Sequence, residues 1–138
     1  MSETWVLDSF ALLALLGGEP GSDEVAHLFR QARQGTVRLL MTWVNVGEMA
    51  YIVERRWGAG RLRQILAMLD EAALEMVPVG RELALAAAHI KAGAPVAYAD
   101  AFAAALAIQT GATLVTGDPE FRQLETLLRI HWLPARNR

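Results

Sequence analysis

The chain has no cysteine, which excludes a disulfide framework, a zinc–thiolate site, an iron–sulfur cluster and a cysteine nucleophile. It has one lysine, Lys91, beside twelve arginines, so chemistry that requires a lysine has a single residue to use. Neither a Gly-x4-Gly-Lys-Ser/Thr phosphate loop nor a Gly-x-Gly-x-x-Gly dinucleotide motif is present. The three histidines, His27, His89 and His131, stand far apart without metal-ligand spacing and read as ordinary helix or strand residues. No apolar run is long enough to span a bilayer. The longest, Phe10–Gly18, falls well short of the roughly 18 residues required. Glu3 and Asp8, and no Lys or Arg, precede that run, which argues against a signal peptide. A soluble, cytoplasmic protein with no membrane association is expected.

What is present is a well-filled core. Of 138 residues, 54% are hydrophobic and 20% charged, and the formal net charge is −2. That composition predicts one ordered domain over residues 1–138 and excludes a polybasic nucleic-acid coat protein, though not a local basic patch. Short apolar runs alternate with helical patterns. Strands are predicted at Thr4–Leu7, Val37–Met41, Leu74–Val79, Thr113–Thr116 and Arg129–Leu133. Helices are predicted at Ser9–Leu16, from an N-cap at Ser22 to Gly35, and over Val44–Trp57, Arg61–Ala73, Arg81–Ala92 and Tyr98–Thr110, with a short one at Pro119–Leu124. Strands separated by helices favour a parallel sheet covered on both faces.

Against this apolar background three acidic residues stand alone. Thr4–Gly18 holds only Asp8, Leu39–Val53 only Glu48, and Ala92–Gly117 only Asp100. A buried ionised carboxylate is costly unless something pairs with it, and these segments contain no Lys or Arg. Asp8 ends the first strand and Asp118 follows the fourth. Glu48 and Asp100 lie in the early turns of helices that start from the same edge. The carboxyl ends of parallel strands share that edge, where open α/β folds bind ligands. Four carboxylates meeting there repel one another unless a cation lies between them. Oxygen ligands without His or Cys suit Mg²⁺ or Mn²⁺ better than zinc. Each residue singly has a plainer reading: Asp8 and Asp100 as N-caps, Asp118-Pro119 as a turn, Glu48 as a solvated helix position. It is the set of four that points to a metal site.

Ser9, Asn45 and Thr116 are short polar groups beside these acids, able to orient a carboxylate or a water, or to cap helices. Arg55, Arg56, Arg61 and Arg63, with Trp57 among them, read either as a phosphate-binding strip with a stacking aromatic or as a solvated face beside one core tryptophan.

In these residues the chain resembles the PIN domain family, and more narrowly the VapC-type ribonuclease toxins of prokaryotic toxin–antitoxin pairs. Val6-Leu7-Asp8-Ser9 is similar to the family's first acidic motif, Asn45-Val46-Gly47-Glu48 to the second, Tyr98-Ala99-Asp100-Ala101 to the third, and Thr116-Gly117-Asp118-Pro119-Glu120-Phe121 to the fourth. The likeness covers essentially the whole chain. Asn45 departs from the pattern, since many relatives carry Ser or Thr there. The resemblance implies a three-layer α/β/α sandwich around a mainly parallel sheet of four to five strands. It also implies a Mg²⁺- or Mn²⁺-dependent endoribonuclease with Asp8, Glu48, Asp100 and Asp118 as catalytic and metal-holding residues, leaving 5′-phosphate and 3′-hydroxyl ends. A homodimer and a cognate antitoxin partner are implied too. PIN domains also occur in RNA processing and decay enzymes, usually in longer chains, so the small size favours a toxin.

Other classes fit the residues less well. A phospho-accepting receiver or a haloacid-dehalogenase-type phosphatase needs a lysine near a late strand, and no lysine follows Lys91. The phosphatase also needs a second Asp where Phe10 stands. A metal-free ribonuclease needs paired histidines. A catalytically silent PIN-like binding module would be expected to lose one of the four acids, and none is lost.

Overall fold

The computed structural model of the protein describes residues 3–134. Its strands are β1 (Glu3–Leu7), β2 (Val37–Thr42), β3 (Glu75–Val77), β4 (Thr113–Thr116) and β5 (Arg129–Trp132). Its helices are α1 (Ser9–Leu16), α2 (Ser22–Arg33), α3 (Trp43–Trp57), α4 (Ala59–Glu71), α5 (Arg81–Gly93) and α6 (Tyr98–Thr110), followed by a 3-10 helix over Pro119–Leu124. Helical crossovers return each strand in the same direction, so every ladder is parallel, in the order β3-β2-β1-β4-β5. β1 lies at the centre, hydrogen-bonded to β2 on one side and β4 on the other.

Successive strand residues point to opposite faces, and here each face meets its own core. Val6, Leu40 and Leu114 pack with Leu83, Ala87 and the small residues of α6. Leu7, Leu39, Met41 and Val115 pack with Leu12, Val25, Met49, Val53 and Ile65 of α1, α2, α3 and α4. The outcome is the expected three-layer α/β/α sandwich, its sheet wholly rather than mainly parallel. α6 is buried from Asp100 through Ala107. A helix apolar on all sides is one enclosed on all sides, and alanines let α6 lie close to both α5 and the sheet.

Several boundaries differ from the sequence expectation, each for a local reason. β3 is shorter than Leu74–Val79: it is an edge strand paired only with β2, and Pro78 has no N–H to extend the ladder. α4 starts at Ala59 rather than Arg61 because Gly58, at φ 89° and ψ 165°, both ends α3 and opens α4. That backbone conformation is open only to glycine at little cost. The cap of α2 is Gly21, not Ser22, which is the first helical residue. Trp57 is 41% exposed rather than a core residue. Among the described residues no helix is long and apolar enough to cross a membrane.

Candidate metal centre

A parallel sheet delivers all its carboxyl ends to one edge, and the chain places acidic residues where it leaves that edge. Asp8 is the first residue after β1 and caps α1: its Oδ1 accepts from the Ala11 N–H at 2.8 Å. Its Oδ2 accepts from the Thr116 hydroxyl, at the end of β4, at 2.5 Å. The Thr116 hydroxyl oxygen in turn accepts from the Asp118 N–H at 3.0 Å, and Asp118 caps the 3-10 helix by accepting from the Glu120 N–H at 2.9 Å. Two strands are thereby tied across their ends. Gly117 makes the approach possible, because a Cβ there would overlap the Phe10 ring.

The second half of the site comes from α3 and α6. Thr42 ends β2 and caps α3 by accepting from the Asn45 N–H at 3.0 Å, while its hydroxyl donates to Asn45 Oδ1 at 2.6 Å. The Asn45 amide then donates to the Ala99 carbonyl at 3.0 Å, pinning α3 to the first turn of α6. Asn45 thus bonds the cap of its own helix and a carbonyl of a neighbouring one. One turn further along α3, the Glu48 carboxylate accepts from the Ser9 hydroxyl. Asp100 sits in the first turn of α6, whose N-cap is Ala97. The capping alternative therefore fails for Asp100, whereas Asp8 caps a helix and also faces the acidic pole.

One residue missing from the sequence-derived set belongs here. Glu120 accepts from the Ala97 N–H at 2.5 Å, and a carboxylate oxygen from each of Asp100, Asp118 and Glu120 lies within 4.8 Å of the other two. Its signal was its place in Thr116-Gly117-Asp118-Pro119-Glu120-Phe121.

The electrostatics follow from burial and crowding. Asp8 is 1% and Asp100 7% exposed. Burial pushes the Asp8 carboxyl up to about 7, with the Asp118 and Glu48 charges adding and the Thr116 and Ala11 hydrogen bonds opposing. Asp100 is pushed up to about 8 by burial and then by the charges of Asp118, Glu120, Asp8 and Glu48. No basic side chain among the described residues forms an ion pair with any of these five acids; the ion pairs seen are Arg38–Glu75 and His131–Glu24. The donor set is oxygen throughout, anionic and preorganised. It fits a hard divalent cation, which would replace the missing positive charge.

The remaining candidates lie elsewhere. Arg55 and Arg56 close α3, and Arg61 and Arg63 open α4, all four exposed. Lys91 donates to the Val96 carbonyl at 2.8 Å and so braces the α5–α6 connection. His131 packs edge-on against Trp5, with ring centroids 5.9 Å apart.

Comparison with known proteins bears on the family and the fold. The family model described as PIN domain matches residues 5–127. No curated protein sequence matches the chain. Among solved structures, the fold is similar to VapBC2 from Rickettsia felis bound to a fragment of its promoter DNA. There the identity is 16%, 95% of this chain and 99% of that chain are covered, and the TM-score is 0.72. It is also similar to DNA-bound VapBC from Salmonella typhimurium, at 20% identity, 95% and 98% coverage and a TM-score of 0.70. VapC20 of Mycobacterium tuberculosis, a sarcin–ricin loop cleaving toxin, aligns at 17% identity, 86% and 92% coverage and a TM-score of 0.67. At these identities the likeness to each is one of fold.

Proposed function

Because this chain belongs to the PIN domain family, we propose that it is a metal-dependent endoribonuclease acting as the toxin of a type II toxin–antitoxin pair. The observation carrying this reading is the gathering of Asp8, Glu48, Asp100 and Asp118, with Glu120, at the carboxyl edge of the sheet, with no basic group paired to any of them among the described residues. Asp8, Glu48, Asp100 and Asp118 are the residues that would hold Mg²⁺ or Mn²⁺ and do the catalytic work. Bound there, the cation supplies Lewis acidity toward a phosphodiester oxygen and makes water more acidic.

The chain's own contribution is orientation and charge. The Thr116 hydroxyl and the Ala11 N–H fix the two oxygens of Asp8, and the Ser9 hydroxyl fixes Glu48. Asn45, through Ala99, sets the distance between the helices carrying Glu48 and Asp100. Arg55, Arg56, Arg61 and Arg63 supply the positive charge that draws an RNA backbone toward a pole otherwise hostile to phosphate. The toxin assignment draws support from the similar structures, several of which are toxin–antitoxin assemblies. On this reading a cognate antitoxin covers the site, the active form is a homodimer, and the protein works in the cytoplasm.

The test is cleavage of RNA by the purified protein in Mg²⁺ or Mn²⁺ against the same reaction in EDTA. Metal-dependent cleavage with 5′-phosphate products is expected. An RNA left intact under every metal condition would overturn the reading.

A further inference from the structure

Five aromatic side chains are exposed among the described residues. Trp43, Tyr51 and Trp57 lie on α3, the helix that carries Glu48; Tyr98 opens α6 two residues before Asp100; and Trp132 ends β5 at the same edge of the sheet. Within this group Tyr51 has a specific arrangement. Glu48, Tyr51 and Arg55 follow one another at i, i+3 and i+7, so they share a face of α3. Tyr51 is displaced from Glu48 by about 4.5 Å along the axis and Arg55 by about 10.5 Å. Tyr51 is 49% exposed, and the Arg55 guanidinium lies over its ring, 5.0 Å from the centroid. Arg55 has no carboxylate partner among the described residues. An exposed guanidinium stacked on an exposed phenol offers a flat, positively charged surface.

We propose that Tyr51 and Arg55 form a stacking platform for one unpaired base of the RNA strand leaving the acidic site. The inference rests on the nuclease reading and deepens it. Aromatic rings and guanidinium planes stack bases of any identity, and a base in a duplex already has both faces covered. Charge selects the polyanion, and the ring selects a polyanion with free π faces. Tyr51 is thus a binding residue that positions the strand, distinct from the acids that act on the phosphodiester.

The experiment measures KM and kcat in Mn²⁺ on a short unpaired RNA for the wild type, Tyr51→Ala and Tyr51→Phe. The wild type is then tried on the same RNA carrying a single abasic nucleotide moved along its length. Tyr51→Ala is expected to raise KM about 5- to 150-fold, as loss of one base–aromatic stack does, with kcat within about threefold. Tyr51→Phe should behave as wild type, since the ring rather than the hydroxyl stacks. One abasic position should reproduce the loss in the wild type and add nothing in Tyr51→Ala. A wild type that cleaves while Tyr51→Ala matches it in KM would overturn the platform and leave the nuclease reading standing. A wild type that cleaves nothing would overturn both. Conversion of a dimer to a monomer by Tyr51→Ala on size-exclusion chromatography, with the abasic scan flat, would make this face a protein interface and overturn the platform.

Discussion

A carboxyl group with 1% of its surface exposed and no cation beside it either keeps a proton or attracts a metal, and Asp8 is such a group. The substitution Asp8→Asn separates its two roles. The Asn oxygen can still accept from the Ala11 N–H, and its NH₂ can donate to the Thr116 oxygen, so the cap and the tie between strand ends survive. The negative charge that holds a hard cation does not. Asp8→Asn should abolish RNA cleavage, because the cation loses an anionic ligand, while circular dichroism shows an unchanged fold. Cleavage at near wild-type rate would make Asp8 a structural cap only. The pH dependence follows from the same burial. In the folded state Asp8 and Asp100 titrate near 7 and 8 against an ordinary value of 3.8. Between those values the folded chain binds more protons than the unfolded one, so stability falls as pH rises. Metal-free protein should therefore melt at a higher temperature at pH 5 than at pH 8.5, and in Asp8→Asn the difference should shrink. Thermal melts in chelator at the two pH values check both statements.

At the scale of elements, Gly117, the residue after β4, lies hard against α1. Placing a Cβ there drives it into the Phe10 ring of α1, and the segment that would yield carries Asp118. Gly117→Ala should lower stability by about 1–3 kcal/mol, the usual range for overpacking, and should lower cleavage further by displacing Asp118. The smaller side chain of Phe10→Leu, combined with it, should recover part of both losses, because contacting residues couple. Urea melts and initial rates on the two single variants and the pair give the coupling. How much of this was legible beforehand depended on whether each cause was local. The limits of α1, α6 and β4 were readable in the sequence because Asp8, Gly17, Gly111 and the apolar runs lie within the elements or beside them. The end of β3 was legible only in part: Pro78, which cannot donate to the ladder, stands in the sequence, whereas the place of β3 at the sheet edge is a property of the sheet order. Asp8, Glu48 and Asp100 stood out as single charges in apolar stretches. Glu120 did not, because Arg122 and Glu125 follow it within five positions, and its partner Ala97 belongs to a different helix.

For the molecule as a whole, the proposed site would make cation binding and folding one equilibrium. A divalent ion that binds only the folded chain should stabilise it by about 2.7 kcal/mol at a hundredfold excess over Kd. Because it competes with the protons on Asp8 and Asp100, its effect on the melting temperature should be larger at pH 8 than at pH 6. Melts with and without millimolar Mn²⁺ at those pH values test this, and a pH-independent shift would place the ion elsewhere. The tie from Asp8 to Thr116 joins residues 108 positions apart in the chain, which has a bearing on synthesis. β1 is made well before β4, so a nascent chain carries Asp8 long before the hydroxyl that orients it or the Asp118–Glu120 segment beside it. Loop closure over that length also comes late in folding. On the proposed nuclease reading, the acidic set therefore forms only once β4 and the segment behind it have been made and have paired with β1.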